Sequence, residues 1–381
     1  MRSSEWQRLR AVVEEALDRP STERAEVLDT ACGADQALRG EAESILAAED
    51  AAGDFLDPTQ RARSGRALRP GDWVDGLRLV RRISEGGTAT VWLAHSAGLP
   101  AGPALAVKIA HGDLAAGDLP RRFTEEGRIL SRLTRLAVPG VVRLRNAGHH
   151  RGRPYLVLDL VEGEPLDTHC DSAGLGLEER LGLVRALAEI VAALHRARIV
   201  HRDLKPGNVL VRSDGRPTLI DFGLARRLGD RRGSVLGHPT EPLARLITPG
   251  YAPPEQVWGG PITPALDVFG LGALTHRLLV GETPPGPGQP VRPSRIAATV
   301  PPEVSGRLGL SPRALARRLR GDLDRVLTRA LEPFPGNRHA DAAELAADLD
   351  RYLSGLRSAG RRGLLASITR GALAVVLGRF D

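Results

Sequence analysis

The sequence predicts an α+β chain of two lobes, strand-rich first and helical second, behind a small helical module. Three observations predict it. Short apolar runs punctuated by turn residues occupy the stretch from Trp73 to Val161. From Leu181 onward the apolar residues recur at helical spacing instead. Before Asp57 the pattern is helical too, and the charge is of opposite sign to the rest of the chain. Strands first and helices later imply two layered lobes with a crevice between them.

The helical module is expected over residues 1–57. Leu9, Val12, Val13, Ala16 and Leu17 make one apolar face that stops at Pro20, and a second helix starts at Ser21-Thr22-Glu23 with Val27 and Leu28 inward. A third runs through Leu38, Ala42, Ile45 and Leu46. These residues hold fourteen acids and six arginines, while the whole chain of 381 residues has a net charge of +7. The module is therefore acidic against a basic remainder, which suggests that it docks on the following domain, with an independent module as the alternative. A linker is expected over 58–75, with Pro58, Ser64, Gly65, Pro70 and Gly71.

Strands are expected at Leu77–Ile83, Thr90–Ala94, Ala104–Ile109 and Tyr155–Val161, with a helix at Arg121–Leu136. Leu181, Val184, Leu187, Val191 and Leu194 form one clear helical stripe, followed by Val268–Val280, Leu315–Leu331 and Ala342–Leu353. His149, His150 and Cys170 read as ordinary loop residues. Two cysteines, Cys32 and Cys170, exclude a disulfide framework or a Cys-rich zinc site. The polar start lacks the apolar core of a secretory signal, and no run reaches the length of a bilayer span. A cytoplasmic location is expected. The sequence pI of about 10.3 invites a nucleic-acid reading, but aromatics are only 3% of the chain and no basic stripe interleaves with them, so nucleic acid is not expected as a partner.

The sharpest signal is compositional. Of 53 basic residues, two are lysine, Lys108 and Lys205. A chain that otherwise uses arginine keeps lysine where a compact ammonium is needed and a planar guanidinium does not fit. Lys205 stands in His201-Arg202-Asp203-Leu204-Lys205-Pro206-Gly207-Asn208, and thirteen residues beyond Asn208 comes Asp221-Phe222-Gly223. Lys108 closes Ala106-Val107-Lys108, 22 residues after Gly86.

These ordered motifs resemble the bacterial Ser/Thr protein kinases of the eukaryotic-like (Hanks) type, over about residues 76–353. The resemblance implies a two-lobed protein-kinase fold with a small β-rich N-lobe (76–160) and a helical C-lobe (161–353), and a basic-apolar tail at 354–381. It implies an ATP-dependent protein serine/threonine kinase that passes the γ-phosphoryl of Mg-ATP to Ser or Thr hydroxyls of protein substrates, with Mn²⁺ as an alternative ion. Such chemistry gathers charge on phosphate oxygens, so it needs metal ions, ammonium groups and a carboxylate that orients the hydroxyl.

By that resemblance Asp203 accepts the hydroxyl proton and Lys205 neutralises the transferring phosphate. Lys108 holds the α- and β-phosphates and pairs with Glu126, with Glu125 as runner-up. Asn208 and Asp221 are hard oxygen ligands for the metal. Ile83, Ser84, Gly86 and Gly87 belong to the phosphate-covering loop, Val91 and Ala106 form the roof over the base and Leu210 its floor. Leu158 is the gatekeeper, and the backbone of Asp159 and Val161 pairs with adenine. Thr248 in the activation segment contacts Asp203 and Lys205, while Ser234 and Thr240 are acceptors for autophosphorylation, answered by Arg202. Glu255 with Arg338, and Asp267, are scaffolding.

The loop departs from the family. Its G-x-G-x-x-G pattern would place glycines at 84, 86 and 89, and only Gly86 matches. A catalytically weak scaffold is therefore the alternative reading, though every side chain assigned to proton, metal or phosphate is of the right type. The resemblance also allows a homodimer. Apolar residues 364–380, with Arg370 and Arg379 among them, offer a membrane-surface helix as the lesser alternative to packing on their own domain.

Overall fold

The computed structural model describes residues 68–96, 103–111, 119–229, 248–285 and 292–355, together with 24–33 and single positions between 12 and 43. Most of the expected linker, the acceptors Ser234 and Thr240, and the tail at 364–380 lie outside the described residues. The chain forms two compact units, one of Met1–Ala137 with Val142–Leu160 and one of Val138–Val141 with Val161–Asp381.

Near the start, helix α1 (Arg24–Cys32) buries Leu28 and Cys32 in a cluster with Val12, Ala16 and Leu38. The first unit is otherwise a six-stranded antiparallel sheet of β1 (Trp73–Val74), β2 (Leu77–Glu85), β3 (Ala89–Ser96), β4 (Leu105–Ala110), β5 (Leu144–His150) and β6 (Arg153–Asp159), in the order β1-β2-β3-β4-β6-β5. Alternation sets its faces: Leu77 and Leu79 point into a core shared with Trp92, Val107, Ile109 and Val157, while Arg78 between the two leucines is exposed. Helix α2 (Leu119–Arg135) buries Phe123, Ile129, Leu130 and Leu133, spaced to fall on one face.

The second unit is mainly helical. Helix α4 (Leu177–Arg196), which follows the short α3 (Leu166–Ser172), buries the predicted stripe from Leu181 to Leu194. Its start is held by Glu179, whose carboxylate accepts the amide of Gly176 at 2.8 Å. After the short α5 (Pro254–Val257), α6 (Ala265–Val280) buries every residue except Arg277 and stops at Gly281, in the left-handed conformation at φ 84°. A three-stranded sheet, β7 (Glu164–Pro165), β9 (Val209–Val211) and β10 (Pro217–Leu219), lies in the order β10-β9-β7, and β8 (Ile199–Val200) pairs with β11 (Arg226–Arg227). Gly163 passes so close to β9 that a Cβ there would stand 2.4 Å from the Val211 carbonyl oxygen, so no other residue fits.

Two expectations need correction. Leu315–Leu331 is two helices rather than one, α9 (Pro312–Leu319) and α10 (Asp322–Ala330), parted by Gly321 at φ 98°. His149 and His150 lie in β5, and Cys170 is buried in α3, so none of the three is a loop residue. Short helices α7 (Pro293–Ala297) and α8 (Pro302–Gly306) precede α9, and α11 (342–355) ends the described chain. No helix among the described residues is long and apolar enough to cross a membrane.

Candidate active site

In the first unit, β4 carries Lys108 opposite Val91 of β3 and Leu156 of β6. The neighbouring α2 supplies Glu126, whose Oε1 accepts from Lys108 Nζ at 2.5 Å. Both side chains are largely out of water, at 13% and 3% exposure, so this is not a solvent-screened surface pair. Glu125, one residue earlier, instead faces Arg128 at 3.7 Å. Ala106 stands opposite Leu158 across β4 and β6.

At the end of β6, Asp159 donates its amide to the Arg143 carbonyl at 3.0 Å and its carboxylate takes the Arg145 guanidinium. The amide is thus engaged within the unit, which restricts an adenine contact from Asp159 to its carbonyl. Ile83 and Ser84 lie in β2 and Gly86-Gly87 in the turn to β3, closed by Gly86 N donating to Ala89 O at 3.0 Å. Among the described residues the positive-φ positions include neither Ser84 nor Ala89, and Gly86 and Gly87 are not among them either. The two lost glycines therefore impose no left-handed strain on their replacements in this conformation.

In the second unit the His201–Asn208 motif folds onto itself. Asp203 Oδ2 accepts from Lys205 Nζ at 2.8 Å and from Asn208 Nδ2 at 2.8 Å. Its Oδ1 accepts from the Thr248 hydroxyl at 3.1 Å, and Thr248 Oγ1 in turn accepts from Lys205 Nζ at 2.9 Å. Thr248 thus presents an alcohol to a carboxylate beside an ammonium group, the arrangement that hydroxyl activation requires.

Asp267, at the start of α6, holds the loop from below. Its carboxylate accepts the amides of His201 at 2.8 Å and Arg202 at 2.7 Å, and the His195 ring at 3.0 Å. Burial pushes this carboxyl upward, but the hydrogen bond and charge of His195, with His201 and the Arg202 amide, hold it below the usual range. His201 is fully buried edge-on to Phe222 at 4.9 Å, and burial pushes its pKa down, favouring the neutral ring.

The donor set suits a divalent cation. Asn208 spends its amide nitrogen on Asp203, at 2.8 Å to both the carboxylate and the backbone carbonyl, which leaves its oxygen for a metal. Asp221 follows Ile220, whose amide donates to the Asn208 carbonyl at 3.1 Å, so both oxygen-bearing residues start from paired backbone. Two hard oxygen donors on adjoining chain fit an ion that keeps waters and phosphate oxygens as its other ligands. Leu210, in β9, faces Thr218 in the sheet register. Farther off, Glu255 takes a two-pronged ion pair from Arg338 at 2.6 and 2.9 Å, and Arg338 stacks 5.0 Å from the Phe269 ring centroid.

Two contributors escaped the sequence reading. His195 looks like one more position of an apolar helical stripe, and Gln256, which donates to the Arg202 carbonyl at 2.9 Å, carries no motif. Only the three-dimensional proximity to Asp267 and Arg202 reveals them.

Comparison with known proteins agrees with this geometry. The protein kinase domain family matches residues 77–293. The chain is 35% identical over 216 residues to serine/threonine-protein kinase pkn2 of Myxococcus xanthus, covering 55% of this chain and 25% of that protein. It is 32% identical over 287 residues to serine/threonine-protein kinase PknL of Mycobacterium bovis, covering 73% of this chain and 66% of that protein. The chain thus spans between a quarter and two thirds of these curated relatives. The crystal structure of the M. tuberculosis PknI kinase domain superposes with a TM-score of 0.54 at 24% identity, over 76% of this chain and 100% of that one, which speaks for the fold. With residues 77–293 matched, and with the Lys108–Glu126 pair and the Asp203 cluster within that stretch, the chain belongs to the protein kinase domain family.

Proposed function

We propose that the chain is an ATP-dependent protein serine/threonine kinase, with protein hydroxyls as acceptors and Mg²⁺ as the working ion. The observation that carries this reading is the Asp203 carboxylate, set between an ammonium, an amide and a hydroxyl at 2.8 to 3.1 Å. Asp203 takes the proton of the incoming Ser or Thr hydroxyl as the hydroxyl oxygen bonds to the γ-phosphorus, and the bond from that phosphorus to the β,γ-bridging oxygen breaks to release ADP. Lys205 balances the charge on the moving phosphoryl group. Lys108, oriented by Glu126, steadies the α- and β-phosphates, and Asn208 with Asp221 holds the cation. The ion, when bound, supplies charge neutralisation at the phosphates.

We assign to adenine binding Val91, Ala106 and Leu158 with the backbone of Asp159 in the first unit, and Leu210 with the backbone of Val161 in the second. Ile83, Ser84, Gly86 and Gly87 would cover the phosphates. We assign the kinase domain to 76–353, with 1–57 as a separate helical module, and autophosphorylation to Ser234 or Thr240. A cytoplasmic location accords with this role.

The test is transfer of label from γ-labelled ATP to a basic protein substrate with Mg²⁺, followed by phosphoamino-acid analysis. Phosphoserine or phosphothreonine is expected, and Asp203→Asn is expected to abolish it. If the parent protein binds nucleotide but moves no label with either Mg²⁺ or Mn²⁺, the scaffold reading replaces the enzyme.

A further inference from the structure

The residue before α7, the junction between α9 and α10, α10 itself and the turn ahead of α11 line an open cavity of about 690 Å³, in part through Arg292, Arg320, Arg325, Arg329, Thr328 and Asn337. All of it belongs to the second unit, and none of its lining is among the residues assigned to nucleotide, metal or proton.

The charges there do not cancel. Asp324 lines the cavity too, but its carboxylate is buried and spent on Ser294, taking the amide at 2.9 Å and the hydroxyl at 2.5 Å. Arg325 is answered by Asp322, and Arg329 by Glu344 at 2.7 Å. Arg292 and Arg320 are exposed and form no ion pair among the described residues, with Glu332 the remaining carboxylate of the lining. The Thr328 hydroxyl oxygen is out of contact with water and has no hydrogen-bond partner among the described residues. That hydroxyl takes no part in what the open cavity can bind, whereas the exposed guanidiniums of Arg292 and Arg320 are available to an acceptor-rich ligand.

The shape narrows the ligand. A polyanion such as nucleic acid calls for a stripe of charge along a face, whereas this charge lines one recess. A phosphomonoester is compact, carries nearly two negative charges near neutrality and offers three strong acceptor oxygens. Guanidinium forks match those oxygens two at a time, and the Asn337 amide adds a single donor. We propose that this cavity binds a phosphorylated Ser or Thr side chain of a protein, as a docking site separate from the catalytic loop. The choice of a phosphoprotein rests on the proposed kinase function, because a protein kinase makes such groups on its own substrates.

The experiment uses the full chain and a fluorescent, otherwise neutral phosphothreonine peptide, read by anisotropy. The expected result is binding that the unphosphorylated peptide lacks and that inorganic phosphate competes away. The double variant Arg292→Ala/Arg320→Ala should weaken it by at least roughly tenfold, since each loses a charge-assisted bond. Both side chains are exposed, so the variant should keep the parent's circular dichroism, and its turnover of an unphosphorylated substrate should be unchanged.

Equal binding by the double variant, or equal binding of the unphosphorylated peptide, overturns the proposal. So does a loss of binding in Arg202→Ala with none in the double variant, which would move the contact to the catalytic loop. Retention of a single-stranded oligonucleotide or of phosphatidylglycerol vesicles through Arg292 and Arg320, without phosphopeptide binding, also overturns it. Asp203→Asn protein should bind the peptide like the parent. Intact binding in a parent without phosphotransfer would therefore sink the kinase reading alone, and intact phosphotransfer without binding would sink the docking site alone.

Discussion

Asp267 accepts the backbone amide of Arg202 at 2.7 Å, and Arg202 stands in the left-handed region at φ 70°. A non-glycine residue there is strained by about 1 kcal/mol or more and persists only where its surroundings hold it. Asp267 does the holding, with a second amide from His201 and the His195 ring on the same carboxylate. The residue that precedes Asp203 is thereby fixed by a side chain 65 positions away in the sequence.

Replacing Asp267 with Ala should therefore cost more than one hydrogen bond. Two buried amides and a histidine lose their acceptor, and a loss of about 3 to 5 kcal/mol in unfolding free energy is expected, as for a broken buried charge network. Asp267→Asn, which keeps the shape and one acceptor oxygen, should be milder in stability yet still reduce turnover, because Arg202 is released. Urea denaturation and kcat measured on the same preparations check the pair of outcomes. Full activity in Asp267→Asn would show that the loop does not need this anchor.

Lys108 and Glu126 meet in a nearly dry setting, so the carboxylate's charge matters as well as its shape. Glu126→Gln should lower kcat/KM on the order of 10²-fold, the usual loss when one preorganised charge is removed from a phosphoryl-transfer site. Lys108→Arg should fare no better, because a planar guanidinium cannot take the place of a compact ammonium against α2. Steady-state kinetics at varied ATP separates the two effects: loss of orientation falls on kcat, loss of phosphate contact on KM.

Restoring the missing loop glycines should not rescue nucleotide binding. Neither Ser84 nor Ala89 sits at positive φ, and Ala89 is buried in β3 opposite Ala110. Ser84→Gly should leave the KM for ATP unchanged, and Ala89→Gly should cost about 0.5 to 1 kcal/mol of stability, as glycine does within a strand. A sharp fall in KM for either variant would mean that the loop adopts another conformation around ATP.

Acid should destabilise the protein before its carboxylates titrate. His201, His276 and His339 are buried, and burial is the chief cause of a lowered pKa in each, to about 4 for His339. His339 also faces Arg329 and Arg351, which oppose its protonation, against Glu344 and its hydrogen-bond partner Asp348. A folded-state pKa below the unfolded value contributes stability that is present above about pH 6.5 and lost as the pH falls toward the folded value. The urea midpoint should drop between pH 7 and pH 4.5, and His339→Gln should flatten that drop. A midpoint independent of pH over this range would contradict the assignment.

Much of this was legible in the sequence because the chemistry is written in short ordered motifs. His201 through Asn208, Asp221-Phe222-Gly223 and the two lysines carry their meaning in residue type and spacing, and their local contacts follow from the tight backbone around them. Burial pattern made α4 and α6 readable for the same reason. What stayed dark depends on distance or on weak local signals. Strand β5, Leu144-Arg145-Asn146-Ala147-Gly148-His149-His150, has no apolar alternation and is a strand because β6 supplies its hydrogen bonds. The break at Gly321 was hidden because an isolated glycine within a periodic run is tolerated and does not by itself end a helix. His195 and Gln256 acquire their roles from partners 72 and 54 positions away.

The near-absence of lysine has a practical reach as well. Lys108 is 13% exposed and Lys205 30%, and no other side-chain amine exists in the sequence. Amine-directed acylating dyes would thus find, apart from the amino terminus, only the two positions assigned to phosphate, and adenine nucleotides should shield them. An acylated lysine also resists proteolytic cleavage after it, so a labelled Lys108 would announce itself by a missing cut. Reagents that are indiscriminate on most enzymes would here act as site-selective ones.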